Sequence, residues 1–127
     1  ATKSSAKRLN TQGEKLYQEK KLEDAMYRFQ DAINIYPSYG QAYSNLGLTY
    51  QKLNRTAEAL WANRKAIELA SGKSKNRVQA SSHYNIARIY EAEGHWQDAL
   101  THFQTALSLK QHSAYTKGIK RMQEKLK

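Results

Sequence analysis

The sequence predicts an all-α fold, an α-solenoid of three helix-turn-helix hairpins followed by a C-terminal capping helix. One observation is a repeating framework of small residues, in which an alanine stands twelve and again nineteen residues after each of Gly13, Gly47 and Ala87. The interval between units is 34 residues and then 40, a size typical of stacked helical hairpins. A separate apolar stripe after the last unit predicts one more helix.

The first hairpin is predicted from a helix over residues 6–19 and a second helix over residues 22–36. The chain turns between them at residues 20–21. Pro37 ends the second helix, because proline has no backbone N–H to donate. These elements define a first repeat over about residues 6–39.

The second hairpin follows the same plan within a repeat over about residues 40–73. Its helices are predicted at residues 39–53 and 56–70, with Asn54 in the turn. Residues 71–75, which read SGKSK, are predicted to form a loop because Gly and Ser disfavour helix interiors.

The third hairpin is predicted within a repeat over residues 80–113, after an insertion at residues 74–79. Its first helix begins near Asn76, its turn lies at Gly94, and its second helix spans residues 96–109. We expect the insertion to lengthen the helix ends and their connection, which opens or twists the stack at that point.

A capping helix is predicted over residues 114–127. Apolar residues recur there at spacings of four, three and four, at Tyr115, Ile119, Met122 and Leu126. One apolar stripe with a polar outer side suits a helix that covers the exposed stacking face of the last hairpin.

This framework resembles the tetratricopeptide repeat family, whose signature is a large residue, Leu-Gly, Tyr, Ala, an aromatic residue, Ala and Pro. The first unit supplies Leu9, Gly13, Ala25, Phe29, Ala32 and Pro37. The second supplies Tyr43, Leu46, Gly47, Tyr50, Ala59 and Ala66. The third supplies Ile86, Ala87, Tyr90, Ala99, Phe103 and Ala106. The resemblance covers roughly residues 6–113 and implies a right-handed solenoid that binds proteins rather than an enzyme.

Net charge is +10, and the excess is concentrated at the ends of the chain and in one linker. Residues 1–8 carry +3, residues 73–77 carry +3 and residues 110–127 carry +5, so the remainder is nearly neutral. Such ends attract acidic partners at long range. Nucleic-acid binding through them is an alternative that we do not favour, because only Tyr115 interleaves with these charges and the cap uses it.

Composition excludes several kinds of chemistry. The 127 residues include no cysteine, so disulfides and thiolate sites are absent. No two of the four histidines are four residues apart, and no catalytic motif occurs, so we expect neither a metal, a cofactor nor an enzyme. His83 is expected to be a buried packing residue, not a metal ligand or a proton-transfer group. No apolar run approaches the roughly 18 residues that a membrane span requires, so we expect a soluble chain.

The sequence is compatible with more than one cellular compartment. A cytoplasmic location is favoured, and export to a periplasm is the alternative if a signal peptide has been removed.

The resemblance implies that the first helix of each hairpin lines a concave groove. The inward positions of the family correspond here to Lys7, Asn10, Glu14 and Tyr17, then Gln41, Ser44, Asn45, Leu48 and Lys52, then Ser81, Tyr84, Asn85 and Arg88. Amides such as Asn45 and Asn85 suit hydrogen bonds to a peptide main chain, and tyrosines such as Tyr17 and Tyr84 suit contact with its side chains. A merely solvated polar face is the alternative.

One binding mode of the family is not expected. Its co-chaperones hold a terminal carboxylate with Lys and Asn, then Asn, then Lys and Arg, on successive first helices. The corresponding residues here are Asn10 and Glu14, then Asn45, then Ser81 and Asn85. Only Asn45 matches, and Glu14 would repel the ligand. Arg88 and Lys52 are left to hold one acidic side chain.

The convex side carries a second candidate surface. Tyr27 and Trp61 occupy equivalent positions 34 residues apart, where the family usually has a charged residue. Exposed aromatic residues are typical of a protein interface. Asn63 replaces an aromatic residue nearby, so a rotated helix that tucks Trp61 inward is the alternative.

The sequence therefore predicts a scaffold or adaptor that binds a protein or peptide, including an acidic one, along the concave groove. A self-associating module, with a homo-oligomer formed through the Tyr27 and Trp61 surface, is the second hypothesis.

Overall fold

The computed structural model describes residues 2–127, and its regular elements are seven α-helices and one short 3₁₀ turn. The helices are α1 (Thr2–Gln18), α2 (Leu22–Ile35), α3 (Gly40–Lys52), α4 (Thr56–Leu69), α5 (Lys75–Ala92), α6 (Trp96–Leu109) and α7 (Ser113–Lys125). The 3₁₀ turn, Gly72–Ser74, leads into α5.

Consecutive helices pair into three hairpins, and the hairpins stack. The pairs α1 with α2, α3 with α4, and α5 with α6 make the most extensive contacts, while α2 with α3 and α4 with α5 join neighbouring hairpins. Helix α7 packs on α6. The predicted solenoid of helical hairpins is confirmed.

Small residues allow the two helices of each hairpin to approach closely. A Cβ atom placed on Gly13 would lie 2.5 Å from the ring of Phe29, so no side chain fits there. Gly118 of α7 meets the ring of Phe103 in the same way, with a Cβ atom 2.6 Å away. The framework alanines are fully buried, at Ala25, Ala32, Ala59, Ala66, Ala99 and Ala106. Larger residues at these positions would overpack the interfaces.

The three hairpin turns share one backbone conformation. Lys20, Asn54 and Gly94, at equivalent positions, all have φ in the left-handed region, at 66°, 63° and 78°. Glycine adopts this conformation freely and asparagine tolerates it, whereas lysine does so at a cost. The turn positions predicted from sequence are the ones observed.

One helix boundary differs from the prediction by more than two residues. Helix α1 begins at Thr2, not near residue 6, because residues 2–5 contain neither proline nor glycine to stop it. Helix α5 begins at Lys75, one residue before the predicted start at Asn76, and runs for 18 residues, so the insertion lengthens this helix as expected. Among residues 2–127, no helix is both long enough and apolar enough to cross a membrane.

Candidate functional site

A groove runs along the concave side of the stack. Its larger part, a cavity of about 420 Å³, lies between α3 and α5 and is bordered by the start of α7. A smaller cavity of about 230 Å³ lies between α1 and α3. Glu14, Asn45 and Leu48 line both cavities, so the two join into a single groove.

Most of the residues predicted to face a ligand reach this groove. Tyr17 lines the smaller cavity, and Gln41, Tyr84 and Asn85 line the larger one. Ser44 and Ser81 border the larger cavity as well.

The other predicted groove residues lie outside both cavities. Lys7 and Lys52 are exposed, while Asn10 is buried beneath the groove at 2% exposure. Arg88 is held elsewhere: its Nε lies 3.4 Å from Glu91, and its guanidinium lies over the ring of Tyr84. The expected pairing of Arg88 with Lys52 around an acidic ligand is therefore not prepared in the structure.

Asn45 sits at the centre of the groove and ties α3 to α1. Its amide nitrogen donates to Asn10 Oδ1 at 2.9 Å and more weakly to Glu14 Oε2 at 3.3 Å. Its own amide oxygen accepts no hydrogen bond from residues 2–127. That oxygen can accept a hydrogen bond from the main chain of a ligand.

Asn85 serves the interior of the protein. Its amide nitrogen donates to Asn63 Oδ1 at 3.0 Å and to the carbonyl oxygen of Ser44 at 3.4 Å. Asn63 is fully buried, Asn85 is 5% exposed, and Ser82 donates to the hydroxyl of Ser44 at 3.0 Å. We call these four residues the polar seam. Both hydrogen bonds of Asn85 are donated by its amide nitrogen, so this side chain has no N–H left to donate to a ligand.

The larger cavity has a cationic rim that the repeat pattern did not predict. Arg77 donates to Gln41 Oε1 at 3.4 Å, and Lys110 contributes a second cation from the segment just before α7. Arg77 lies in the insertion and Lys110 lies near the end of the third repeat, after its last framework residue Ala106, so no framework position could identify either of them. Their positive charge in the sequence was the only available signal.

Glu14 is the single carboxylate that lines the two cavities. Glu14 and Arg77 also shift the pKa of Tyr39, in opposite directions. Burial and the charge of Glu14 raise the pKa of the Tyr39 phenol, while the hydrogen bond with Asn10 and the charge of Arg77 oppose that shift. The groove thus has a negative charge toward α1 and positive charges toward α5 and α7.

A bidentate ion pair fixes the cap. Arg121 of α7 donates to the two carboxylate oxygens of Glu91 at 2.8 and 3.0 Å. The hydrogen bond from Arg121 is the main cause that lowers the pKa of Glu91. Tyr115 packs against Tyr84, with ring centroids 5.4 Å apart, so the cap also closes one end of the groove.

Two histidines from different helices meet in the third hairpin. The Nδ1 atoms of His83 and His102 lie 3.0 Å apart, and their rings stack at 5.2 Å. Tyr90 also stacks on His102, with ring centroids 5.6 Å apart. His83 packs as expected, although it is only half-buried. The structure, as far as it describes the chain, groups no three residues that could hold a metal ion.

The convex aromatic residues are exposed. Tyr27 is 54% exposed and Trp61 is 50% exposed, and the Trp61 and Tyr43 rings form a T-shaped contact with centroids 5.8 Å apart. Trp61 is not tucked into the core, and Asn63 fills the space opposite Gly47.

Family models match most of the chain. The model described as "Tetratricopeptide repeat" covers residues 38–112, and one described as "TPR repeat" covers residues 13–54.

Two curated proteins are similar over part of their length. The Hsp70-Hsp90 organising protein of Plasmodium falciparum is 31% identical over 99 residues, which span 77% of this chain and 39% of that protein. The protein O-mannosyl-transferase TMTC3 of Homo sapiens is 34% identical over 88 residues, which span 66% of this chain and 10% of that protein. The chain therefore spans less than half the length of these relatives.

Solved structures share the fold. The Arabidopsis OM64 TPR domain superimposes with a TM-score of 0.86 at 18% identity, over 98% of each chain. The first TPR of Spaghetti (RPAP3), solved bound to the HSP90 peptide SRMEEVD, gives a TM-score of 0.83 at 18% identity, over 97% of this chain and 94% of that one. With a family model matched over more than half of its residues and the stacked hairpins observed, the chain belongs to the tetratricopeptide repeat family.

Proposed function

We propose that this chain is an adaptor that holds an extended segment of a partner protein in the groove. The observation that carries the proposal is the joined pair of cavities along α1, α3 and α5. These cavities are lined by tyrosines and by polar groups with unused hydrogen-bonding capacity. Tyr17 and Tyr84 offer rigid contact area, and the free amide oxygen of Asn45 offers a bond to a main-chain N–H.

The relatives support peptide binding as the class of function. One similar structure holds an HSP90 peptide, and one similar protein is an Hsp70-Hsp90 organising protein. We do not expect this chain to bind the same HSP90 peptide, because Glu14 lies at the centre of the groove and would repel a cluster of acidic residues. Acidic groups of a ligand are instead expected near Arg77 and Lys110, on the opposite rim.

Leu48 gives a direct test, because it lines both cavities and is only half-buried. In Leu48→Arg a long charged side chain fills the middle of the groove. Leu126→Arg is the matched control, since Leu126 is 44% exposed at the end of α7 and the change in charge is the same.

The experiment is to select linear peptides from a random display library on the wild-type chain and to measure their affinity for both variants. The proposal predicts at least a tenfold loss for Leu48→Arg, equivalent to about 1.4 kcal/mol, and none for Leu126→Arg. Equal affinity for wild type and Leu48→Arg would move the site away from the groove.

Self-association is the second candidate function, and the exposure of Tyr27 and Trp61 favours it. Trp61 also borders a surface cavity of about 260 Å³ with Arg64 and Lys65. Sedimentation equilibrium over a range of concentrations tests it: a mass that rises with concentration in wild type and not in Trp61→Ala supports the dimer, whereas a constant monomer mass excludes it.

A further inference from the structure

Glu14 is out of keeping with the rest of the groove. The chain has a net charge of +10, and the other charged residues that border the larger cavity are Arg77 and Lys110. We infer that the peptide bound in the groove carries a basic side chain, Lys or Arg, that pairs with Glu14. The inference rests on the proposed function and specifies its ligand.

The carboxylate of Glu14 is poorly satisfied by the protein itself. The only hydrogen bond it accepts from residues 2–127 comes from Asn45 Nδ2 at 3.3 Å, which is long for a bond to a charged acceptor. No basic side chain among residues 2–127 lies close enough to the Glu14 carboxylate to form a salt bridge. A carboxylate has acceptor capacity for about four hydrogen bonds, so water supplies the remainder.

A bound peptide would remove this water. Glu14 stands beside Leu48 where the two cavities join, so a segment that runs through the groove must pass over it. A desolvated carboxylate without a partner is costly, and a cationic side chain offsets that cost with a charge-assisted hydrogen bond. A neutral segment leaves the cost in place, and an acidic residue adds repulsion.

The cations on the opposite rim give the ligand a direction. Arg77 lies on the first turn of α5 and Lys110 lies just before α7, both on the side of the groove away from α1. They favour an acidic residue of the peptide at that side. The preferred ligand therefore has a basic residue toward α1 and an acidic residue toward α5 and α7.

The opposing explanation is that Glu14 only helps Asn45 to tie α1 to α3. Glu14→Gln distinguishes the two, because an amide oxygen still accepts the bond from Asn45 while the negative charge is lost. Glu23→Gln is the control: Glu23 is exposed on α2, and the substitution changes net charge equally.

The test uses random linear peptides displayed on phage and selected on the full chain, with Glu14→Gln, Glu14→Lys, Glu23→Gln and Leu48→Arg in parallel. We expect Lys or Arg to be enriched at one fixed position on wild type and Glu23→Gln. On Glu14→Gln that enrichment should vanish, with a loss of about tenfold to a hundredfold in affinity for the wild-type peptides. On Glu14→Lys an acidic residue should replace it.

The outcomes separate this inference from the proposed function. Peptides that Leu48→Arg no longer binds, but that show no basic preference or bind Glu14→Gln as well as wild type, overturn the inference and leave groove binding intact. Failure to enrich any peptide, or enrichment that Leu48→Arg does not alter, overturns both.

Discussion

Replacing Asn85 with alanine should destabilise the fold measurably, although the residue occupies a position that the family uses for ligands. In Asn85→Ala the buried Asn63 Oδ1 loses its donor, and the carbonyl oxygen of Ser44 loses a weaker one. Leaving a buried acceptor unpaired costs about 1–3 kcal/mol. We take about 2 kcal/mol as the expected loss of unfolding free energy from this source.

A second effect acts in the opposite direction. Alanine favours the helix over asparagine by about 0.5 kcal/mol, so the net change for Asn85→Ala is nearer 1.5 kcal/mol. The control Asn34→Ala gains this helix preference alone, because Asn34 is exposed on α2 and its side chain forms no hydrogen bond within residues 2–127. The two variants should therefore differ by about 2 kcal/mol, or about 7 °C in melting temperature for a chain of this length.

Urea unfolding followed by circular dichroism measures both variants under the same conditions. A midpoint that falls for Asn85→Ala and holds or rises for Asn34→Ala supports the polar seam as a structural element. If the two free energies agree within about 0.5 kcal/mol, the hydrogen bonds of Asn85 contribute nothing and the reasoning is refuted.

Three further predictions concern the turns, the cap and the histidine pair. Lys20→Gly should stabilise the chain by about 0.5 kcal/mol, because φ at Lys20 is 66° and glycine adopts that conformation without strain; an unchanged urea midpoint contradicts this. Gly118→Ala should cost about 1–3 kcal/mol and speed amide exchange in α7, because a Cβ atom there would lie 2.6 Å from the Phe103 ring; unchanged exchange contradicts it. Burial lowers the pKa of both His83 and His102, and their mutual contact adds to this for His83. Below about pH 6.5 the unfolded chain therefore binds more protons than the folded chain, so the free energy of unfolding falls as the pH drops. The fall is at most about 1.4 kcal/mol per pH unit for each proton that the folded chain fails to bind, and it is smaller for rings that are half-exposed. Urea unfolding at about pH 7.5 and pH 5.5 checks this, with the double variant His83→Gln, His102→Gln expected to show a weaker pH dependence; an identical dependence contradicts it.

The hairpins were predictable from sequence because the residues that define them act locally. Gly13 and Phe29 lie 16 residues apart and meet within one hairpin, so their spacing reports their contact. The turn at Gly94 follows from the same local geometry. The start of α1 was not predictable, because few residues near that end favour or oppose another helical turn.

The groove was predictable only in part, because its chemistry depends on contacts between hairpins. Asn45 and Asn85 are equivalent in the repeat, yet Asn63 opposite Asn85 draws that amide inward. Arg77 and Lys110 lie outside the framework positions of the repeat, and their approach to the groove depends on how α5 and α7 pack.

The measurement that tests the central claim most directly is an NMR titration of the isotope-labelled chain with a peptide selected on it. Groove binding predicts the largest backbone and side-chain shifts on α1, α3 and α5, at Tyr17, Asn45 and Tyr84, with little change at Tyr27 and Trp61. Shifts concentrated at Tyr27 and Trp61, with the groove residues unmoved, would contradict the account and assign binding to the convex face.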